Sequence, residues 1–493
     1  MPPQDGATAD FVVVANRLPV DSVTHPDGSH EWVPSPGGLV AALSPVLAQH
    51  HGCWVGWPGT TDDSLSLEPF RTDSGILLHP VSLSAADYAE FYEGFSNATL
   101  WPLYHDLIVQ PIYQRSWWSA YRQVNLRFAE EVAKVASPHA TVWVQDYQLQ
   151  LLPGILRQLR PDLRIGFFLH IPFPAADLFR QLPWREEIVR GLLGADVIGF
   201  HLPSYANNFL TLSRQISGAA GSHTGQPDEL TVYGKAQIRK PDAAIVAPDG
   251  RRVQVAAFPI SIDLSSLGHP TAEDISAIRR KLGNPDTIML GVDRLDYTKG
   301  ILQRLQAFEQ LLEHETLDPD QTVLVQIATP SRERIKQYQQ ERARVEEAVG
   351  RINGRFGKLG QPVVHYLHRS LPKAELAACY AAADIMLVTA FKDGMNLVAK
   401  EFAAMHPDGS GALVLSEFAG AAEELSHAHL CNPHDLESVK RAIFNAVYSL
   451  SHQPEDAGRR MQALYQQVHT HDVNLWANSF LSFLTDHSQG GMS

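Results

Sequence analysis

A short segment in the last quarter of the chain has residue types and spacing suited to binding a phosphate. This segment, F-K-D-G-M-N-L-V-A-K-E, covers residues 391–401 and follows an apolar run. The order of residues in and after this segment predicts a tight turn at Asp393-Gly394, a helix N-cap at Asn396 and a helix over Leu397–Met405. The first N–H groups of a helix have no partner within the helix, so a strand, a turn and a helix start together form an anion site.

The same segment carries groups suited to sugar hydroxyls. The N–H groups near Leu397 and Val398 can face a phosphate, and Asp393, just before the helix, can accept from a hexose hydroxyl. Glu401 lies four residues after Leu397, so it shares that face of the helix and can accept further sugar hydroxyls. The competing interpretation is an ordinary βα turn with a capping Asn and a solvated Glu.

Polar residues at the ends of apolar runs in the first half predict a second group of binding residues. Arg17, Asp146 and His170 each follow such a run, and Gly37-Gly38 opens a predicted helix over Leu39–Gln49. In α/β sheets, ligands bind outside the carboxyl ends of the strands. These positions therefore suit a phosphate and a sugar, although a lone Arg or His at a strand end is more often structural.

Apolar runs of strand length alternate with helical stretches twice along the chain, which predicts an α/β protein with two doubly wound domains. The predicted strands of the first half are Phe11–Ala15, Cys53–Trp57, Val142–Tyr147, Ile165–Pro174 and Ala195–His201. Those of the second half are Ile288–Val292, Val323–Ala328, Val363–Leu367, Ile385–Val388 and Ala412–Ser416.

The connecting stretches set the expected boundaries. A Pro- and Gly-rich stretch up to Pro36 predicts a loop, Asp249-Gly250 predicts a hairpin, and a polar stretch predicts a helix over Glu333–Arg351. We expect a first domain over residues 1–258 and a second over residues 259–470. A helix within residues 471–493 is expected to cross back to the first domain.

Composition excludes several classes of protein. The 493 residues carry a net charge of −14, which argues against nonspecific nucleic-acid binding. Three cysteines without a CxxC pair give neither a disulfide framework nor a zinc motif. No apolar run is long enough for a membrane span, and the N-terminus lacks the features of a signal peptide, so we expect a cytoplasmic protein.

Three motifs in order along the chain identify a family. F-S-N-A-T-L-W-P-L-Y-H at residues 95–105, D-R-L-D-Y-T-K-G at residues 293–300 and the segment at residues 391–401 resemble those of the trehalose-6-phosphate synthases. These are retaining glycosyltransferases of the GT-B fold, in which two Rossmann-like doubly wound domains face each other across a cleft. The resemblance extends from N-R-L-P-V at Asn16 to the H-D-V-N-L-W tail.

The resemblance implies transfer of glucose from UDP-, GDP- or ADP-glucose to glucose 6-phosphate. No D-x-D-like carboxylate cluster lies beside the diphosphate motifs of the sequence, so we expect no metal or other cofactor. It implies a homodimer or homotetramer, and a separate trehalose-6-phosphate phosphatase for the next step. The implied acceptor-binding residues are Arg17, Tyr92, Trp101, Asp146, Ile171 and Arg332. The implied donor-binding residues are Gly37, Gly38, Arg294, Lys299, Leu371, Asp393, Asn396, Leu397, Val398 and Glu401. The implied catalytic residues are Arg294, Lys299, Asp393, His170 and Asp146.

The sequence departs from the family pattern at one position, and two alternative functions stay open. Where many relatives read H-D-Y-H, this chain reads Gln145-Asp146-Tyr147-Gln148, so the hydrogen bonds around Asp146 can differ. The alternative enzyme is another retaining GT-B transferase, such as a sucrose-phosphate or glycogen synthase. The alternative without catalysis is a regulatory subunit that binds sugar phosphates. The base of the donor nucleotide stays open, because base contacts in such sites are often made by the backbone.

Overall fold

The computed structural model describes residues 8–24, 30–34, 40, 43, 47, 52–61, 68–72, 75–217 and 243–488. Within these ranges the chain forms two compact units. The first unit contains the described residues up to Ile260 together with the helix Val473–Ser488, and the second contains Ser261–Asp472. Gly37 and Gly38, with most of the predicted helix Leu39–Gln49, lie outside the described residues.

The first unit is built on a sheet of nine described strands in the order β10-β11-β9-β8-β7-β1-β4-β6-β5, with a separate hairpin formed by β2 and β3. The strands are β1 Ala9–Arg17, β2 Val20–Thr24, β3 His30–Pro34, β4 Cys53–Trp57, β5 Phe70–Arg71, β6 Leu77–Pro80, β7 Ala136–Gln145, β8 Arg164–Phe168, β9 Val197–Phe200, β10 Ala244–Val246 and β11 Arg252–Ala257. Apart from β5 and β10, which pair antiparallel with β6 and β11, neighbouring strands of the nine are parallel.

Two sequence predictions on hairpins had different outcomes. The hairpin predicted at Asp249-Gly250 is confirmed, because β10 and β11 pair antiparallel on either side of it. The loop predicted up to Pro36 is wrong, because β2 and β3 lie within it and pair antiparallel. Val and Thr in V-D-S-V-T favour extended backbone, and the neighbouring Pro and Gly residues hid that preference.

Helices of the first unit cover the sheet and connect its strands. They are Ala85–Asp87, Trp101–Tyr104, Arg115–Val135, Leu152–Leu159, Ala176–Phe179, Arg185–Leu192, Pro203–Ser217 and Val473–Ser488, with a π-helical stretch at Tyr88–Leu100 and a 3₁₀ turn at Tyr147–Leu149. The π-helical stretch carries residues 95–100 of the first family motif, and the helix Trp101–Tyr104 carries most of the rest. Sequence periodicity did not reveal the π-helical stretch.

The helix Val473–Ser488 packs directly on the parallel strands of the first unit. Its Phe480 ring stacks on Trp143 of β7, with ring centroids 4.7 Å apart. Gly166 in β8 and Gly199 in β9 make room for it, since a Cβ at either position would lie 2.8 Å from the Phe480 ring. The two glycines of the I-G-F repeats are therefore explained by this close helix–sheet contact.

The second unit is built on a parallel sheet with the order β14-β13-β12-β15-β16-β17. The strands are β12 Thr287–Arg294, β13 Thr322–Thr329, β14 Val364–Leu367, β15 Ile385–Val388, β16 Ala412–Ser416 and β17 His429–Cys431. The chain runs outward from β12 to β14 and then returns to place β15 on the other side of β12. The strand order therefore reverses between β12 and β15, where doubly wound sheets bind their ligands.

Helices of the second unit enclose a core that includes Met289, Leu324, Ile385 and Val414. They are Ala272–Lys281, Ile301–Glu313, Lys336–Phe356, Lys373–Ala382, Leu397–Ala404, Leu436–His452 and Pro454–Thr470, with 3₁₀ turns at Leu264–Ser266, Tyr297–Lys299 and Gly420–Glu423. The helix predicted over Glu333–Arg351 begins three residues later than expected, because Arg332 has a φ of 50° and the helical backbone starts only after Ile335.

Candidate functional site

The loops that follow β12 and β15 meet at the point where the strand order of the second unit reverses. Lys299 lies in the loop after β12 and Asp393 in the loop after β15. The Lys299 Nζ atom is 2.6 Å from the Asp393 Oδ2 atom, and the two side chains are 11% and 15% exposed. One cation and one carboxylate predicted to bind the donor are therefore in direct contact.

Asn396 connects this ion pair to the start of the helix Leu397–Ala404. Its side-chain Nδ2 donates to Asp393 Oδ2 at 3.0 Å, and its Oδ1 accepts from the N–H of Ala399 at 3.0 Å. The predicted N-cap is thus confirmed. Asn396 has a φ of 84°, which Asn tolerates better than most residues. With Ala399 capped, the N–H groups of Leu397 and Val398 belong to the first turn, which lacks acceptors within the helix.

A second loop of the same unit fixes the backbone of this turn. Gly420 donates its N–H to the carbonyl oxygen of Asp393, and Ala421 donates to that of Met395 at 2.7 Å. A Cβ at Gly420 would lie 2.1 Å from the carbonyl oxygen of Gly394, so only glycine permits this approach. The turn that carries Asp393 is therefore supported from outside its own segment.

Arg294 and Arg332 follow the two central strands β12 and β13. Arg294 is the exposed last residue of β12. The side chain of Arg332 is 3% exposed, and its Nη1 atom donates to Asp296 Oδ2 at 3.2 Å and to the Tyr338 hydroxyl. Burial raises the pKa of Asp296, but Arg332, Arg294 and Lys299 outweigh that effect and leave it below its usual value. Asp296 therefore stays ionised among these three cations.

Glu401 has a partner that sequence reasoning did not identify. The Tyr380 hydroxyl, on the helix Lys373–Ala382, donates to Glu401 Oε2 at 2.7 Å. Burial raises the pKa of Glu401, while this hydrogen bond and Lys373 oppose the rise. Because Tyr380 engages one carboxylate oxygen, the other oxygen can accept from a ligand. Leu371 is half-buried in the loop between β14 and this helix.

In the first unit, the strand order reverses between β1 and β7, and Arg17 ends β1 there. Its guanidinium carbon lies 5.0 Å from the ring centroid of Trp57, at the end of β4. Gly59 has a φ of 89°, and a Cβ at that position would lie 2.2 Å from the Arg17 Nη2 atom. Trp57 and Gly59 thus define the position of the Arg17 side chain, and the sequence analysis assigned neither of them a role.

Tyr92 and Trp101 belong to one connected cluster of aromatic and amide groups. Tyr92 lies beside Trp57, with ring centroids 6.4 Å apart, and its carbonyl oxygen accepts from Asn97 Nδ2 at 2.8 Å. Asn97 Oδ1 accepts from the Tyr147 hydroxyl at 2.8 Å, and the Tyr147 ring lies 5.7 Å from Trp101. Asn97 is 1% exposed, so the amide that joins these aromatic residues is buried in the folded chain.

Asp146 and His170, at the ends of the neighbouring strands β7 and β8, are in contact. The N–H of His170 donates to Asp146 Oδ1 at 3.1 Å, and His170 Nε2 lies 2.8 Å from Gln145 Oε1. Asp146 has a φ of 71°, a backbone region that costs a non-glycine residue about 1–3 kcal/mol and clusters at functional sites. Ile171 follows His170 and is buried.

The imidazole of His170 is held in its neutral form. Burial, followed by the neighbouring His201, lowers the pKa of His170 well below its usual value. The rings of Phe168, His201 and Trp476 surround it, with centroids 4.8, 5.4 and 5.9 Å away. A neutral imidazole has one N–H donor and one acceptor nitrogen, so His170 can offer a hydrogen bond of a defined direction.

The predicted site residues therefore form one group in each unit. Lys299, Asp393, Asn396, Leu397 and Val398 are linked in the second unit, while Arg294 and Arg332 lie around Asp296. Among the described residues, no group of three or more His, Cys, Asp and Glu side chains is placed to bind a metal ion. No helix within the described ranges is both long and apolar enough to span a membrane.

Four similarities to known proteins accompany this geometry: a family model, a relative and two solved structures. Residues 9–486 match the model of glycosyltransferase family 20. The chain is 57% identical over 487 residues to a trehalose-6-phosphate synthase of Mycolicibacterium gilvum (strain PYR-GCK), covering 97% of this chain and 94% of the relative.

Two solved structures share the fold. An α,α-trehalose-phosphate synthase (UDP-forming) from Burkholderia vietnamiensis has a TM-score of 0.85 and 32% identity, with 99% of each chain covered. A UDP-forming α,α-trehalose-phosphate synthase from Burkholderia xenovorans, in complex with glucose 6-phosphate, has a TM-score of 0.83 and 30% identity, covering 96% of this chain and 99% of that one.

Proposed function

Because the chain belongs to glycosyltransferase family 20, we propose that it is an α,α-trehalose-6-phosphate synthase. It transfers glucose from a nucleoside diphosphate glucose to glucose 6-phosphate and retains the anomeric configuration. This is the first step of trehalose synthesis, and a separate phosphatase completes it. The relatives named above, two of them UDP-forming, support this choice among family reactions.

The observation that carries the proposal is the contact of Lys299, Asp393 and Asn396 at the start of the helix Leu397–Ala404. A diphosphate at this helix start meets the first-turn N–H groups and the Lys299 ammonium, and Arg294 adds a second cation. Asp393 precedes the helix and accepts from the hydroxyls of the transferred glucose. Glu401, oriented by Tyr380, accepts from the ribose hydroxyls.

Charge develops on the departing diphosphate as the bond from the anomeric carbon to its oxygen breaks. Fixed cations and N–H groups at that oxygen stabilise the transition state without reorganising. In the proposed reaction, the anomeric hydroxyl of glucose 6-phosphate attacks from the face that the diphosphate leaves. The new bond joins the two anomeric carbons through that oxygen, and the proton passes to a phosphate oxygen of the leaving group.

The acceptor is bound by residues around Arg17 in the first unit and by Arg332 in the second. Arginine binds phosphate through two parallel hydrogen bonds, and such charge-assisted bonds are the strong ones. Tyr92 and Trp101, which share an aromatic cluster, supply apolar faces for the hexose ring.

An acceptor panel separates this proposal from its alternatives. The purified chain is incubated with UDP-, GDP- or ADP-glucose at one concentration, and with glucose 6-phosphate, fructose 6-phosphate or glucan. Of the three acceptors, we expect only glucose 6-phosphate to give a disaccharide phosphate. The rates with the three nucleotide sugars then give the donor preference. Product with fructose 6-phosphate or glucan would identify another transferase. Binding of sugar phosphates without turnover would identify a regulatory subunit.

A further inference from the structure

Gln145 is the last residue of β7, and its amide is completely buried. Its Oε1 atom lies 2.8 Å from the Nε2 atom of His170, which follows the neighbouring parallel strand β8. Gln145 pairs with Phe168 in the register of the two strands, so the position of the amide is set by the sheet. His170 itself is half-buried.

The environment of the amide nitrogen of Gln145 indicates the role of this side chain. Within the described part of the chain, this buried Nε2 atom has no hydrogen-bond partner. An unsatisfied buried donor destabilises a protein, whereas an apolar side chain of similar size would not. A purely structural role at this position therefore favours a residue such as Met or Leu. The contact with His170 is the interaction that an apolar residue could not make.

The direction of that contact fixes the tautomer of His170. An amide oxygen accepts and does not donate, so the proton of the neutral ring is on Nε2 and the lone pair is on Nδ1. The tautomer of a functional histidine is commonly set by the hydrogen bond of its other nitrogen. The titratable groups next to His170 are Asp146, which accepts from its backbone N–H, and His201. The contact of Asp146 is with the backbone N–H of His170, and the His201 ring centroid lies 5.4 Å from that of His170.

We propose that Gln145 is a positioning residue that fixes the plane and the tautomer of His170, making Nδ1 an acceptor for a hydroxyl of the bound sugar. This inference rests on the proposed function for the identity of the sugar. Gln145 does not itself touch substrate. Removal of the Gln145 amide is therefore expected to lower kcat more than it raises the KM of either substrate.

The first test measures the tautomer directly. The full-length protein is labelled with ¹⁵N-histidine, and two-bond ¹⁵N–¹H correlations are recorded without substrate. The His170 signals are assigned from their loss in His170→Gln. We expect the Nε2–H pattern, unchanged between about pH 6 and pH 8, the range in which an ordinary histidine titrates. An Nδ1–H pattern, or a mixture of tautomers, would overturn the proposal.

The second test uses a matched pair of variants. Gln145→Met keeps the length of the side chain and removes the acceptor. Gln148→Met changes a glutamine that is also buried and lies three residues away. For Gln145→Met we expect mixed tautomers and a kcat about tenfold lower, the effect of one lost hydrogen bond, with both KM values little changed. Gln148→Met should keep the wild-type tautomer.

If Gln145→Met does not fold, a third variant, Gln145→Glu, replaces it. Its carboxylate also offers an acceptor oxygen, so we expect it to keep the Nε2–H pattern of His170. Equal kcat values for Gln145→Met and Gln148→Met would contradict the positioning role. Failure of the wild-type protein to make the disaccharide phosphate would instead contradict the proposed function. The tautomer is measured without substrate, so the two failures are distinguishable.

Discussion

At the scale of single residues, Lys299 is a predicted donor-binding cation that forms a direct ion pair with Asp393, a carboxylate also predicted to bind the donor. Its ammonium lies 2.6 Å from the Asp393 carboxylate. A bound diphosphate carries more negative charge than one carboxylate and competes for the same ammonium. In the proposed reaction we therefore expect donor binding to release Asp393 from Lys299 for the hydroxyls of the glucose, so that diphosphate binding and sugar binding are coupled.

We therefore expect Lys299→Ala and Arg294→Ala to lower kcat by two orders of magnitude or more. One donor aimed at developing charge contributes about 3–4 kcal/mol to the transition state. Steady-state kinetics measures the loss, and Lys358→Ala is the control, since that side chain is 61% exposed and pairs with Asp320. A kcat within a few-fold of the wild-type value would show that neither residue stabilises the departing diphosphate.

Arg332 has both a structural and a proposed binding role, so its variants need two measurements. Arg332→Ala would leave Asp296 buried without its arginine, which destabilises a fold by about 3–5 kcal/mol. Arg332→Lys keeps the charge but loses the planar fork, so we expect a higher KM for glucose 6-phosphate and little change in the KM for the nucleotide sugar.

Tyr338→Phe is the matched control for Arg332→Lys. It removes the hydroxyl that donates to Asp296 and accepts from Arg332, while the aromatic ring remains. We expect a lower melting temperature and a smaller change in the acceptor KM. If Arg332→Lys has a lower melting temperature but the wild-type KM for glucose 6-phosphate, Arg332 is a structural residue.

At the scale of elements, the loop after β4 determines where the Arg17 side chain lies. Gly59→Ala places a methyl group 2.2 Å from the Arg17 guanidinium, so we expect displacement of Arg17 and a higher KM for glucose 6-phosphate. Gly75→Ala is the control, because Gly75 has a similar φ of 84° but nothing within 4 Å of the added carbon. Both variants carry the same backbone strain.

The comparison of the two glycine variants isolates the contact with Arg17. Acceptor KM and melting temperature are measured on both proteins. Equal acceptor KM values in Gly59→Ala and Gly75→Ala would mean that Arg17 does not bind the acceptor, or that it does not need its present position.

Sequence patterns predicted those parts of the site that are local in the chain. The strand Ile385–Val388, the Asn396 cap and the helix after it were predicted because strand, turn and cap signals extend over a few neighbouring residues. Contacts between distant segments could not be predicted. Tyr380 with Glu401 and Gly59 with Arg17 depend on how strands are ordered in each sheet, and no local pattern encodes that order.

At the scale of the whole molecule, the GT-B fold predicted from the sequence is confirmed by solved structures with TM-scores of 0.83 and 0.85. The helix Val473–Ser488 is a part of that fold, because its aromatic residues complete the core of the first unit. Trp476 and Phe480 both pack on Trp143 of β7.

We expect Phe480→Ala to lower the free energy of unfolding of the first unit by about 3–5 kcal/mol, the usual cost of removing a buried aromatic side chain. Chemical denaturation followed by tryptophan fluorescence measures it, since Trp143 and Trp476 report on this region. Leu475→Ala is the control, because Leu475 is 39% exposed. Similar unfolding curves for the two variants would contradict the structural role of this helix.

The proposed reaction retains the anomeric configuration and gives a 1,1-linked disaccharide phosphate. The most direct measurement is the ¹H and ¹³C NMR spectrum of the product made by the wild-type protein from glucose 6-phosphate and an α-linked nucleotide glucose. We predict two α-anomeric signals and no reducing end. A β-anomeric signal, a reducing sugar, or free glucose released by hydrolysis would contradict this reaction.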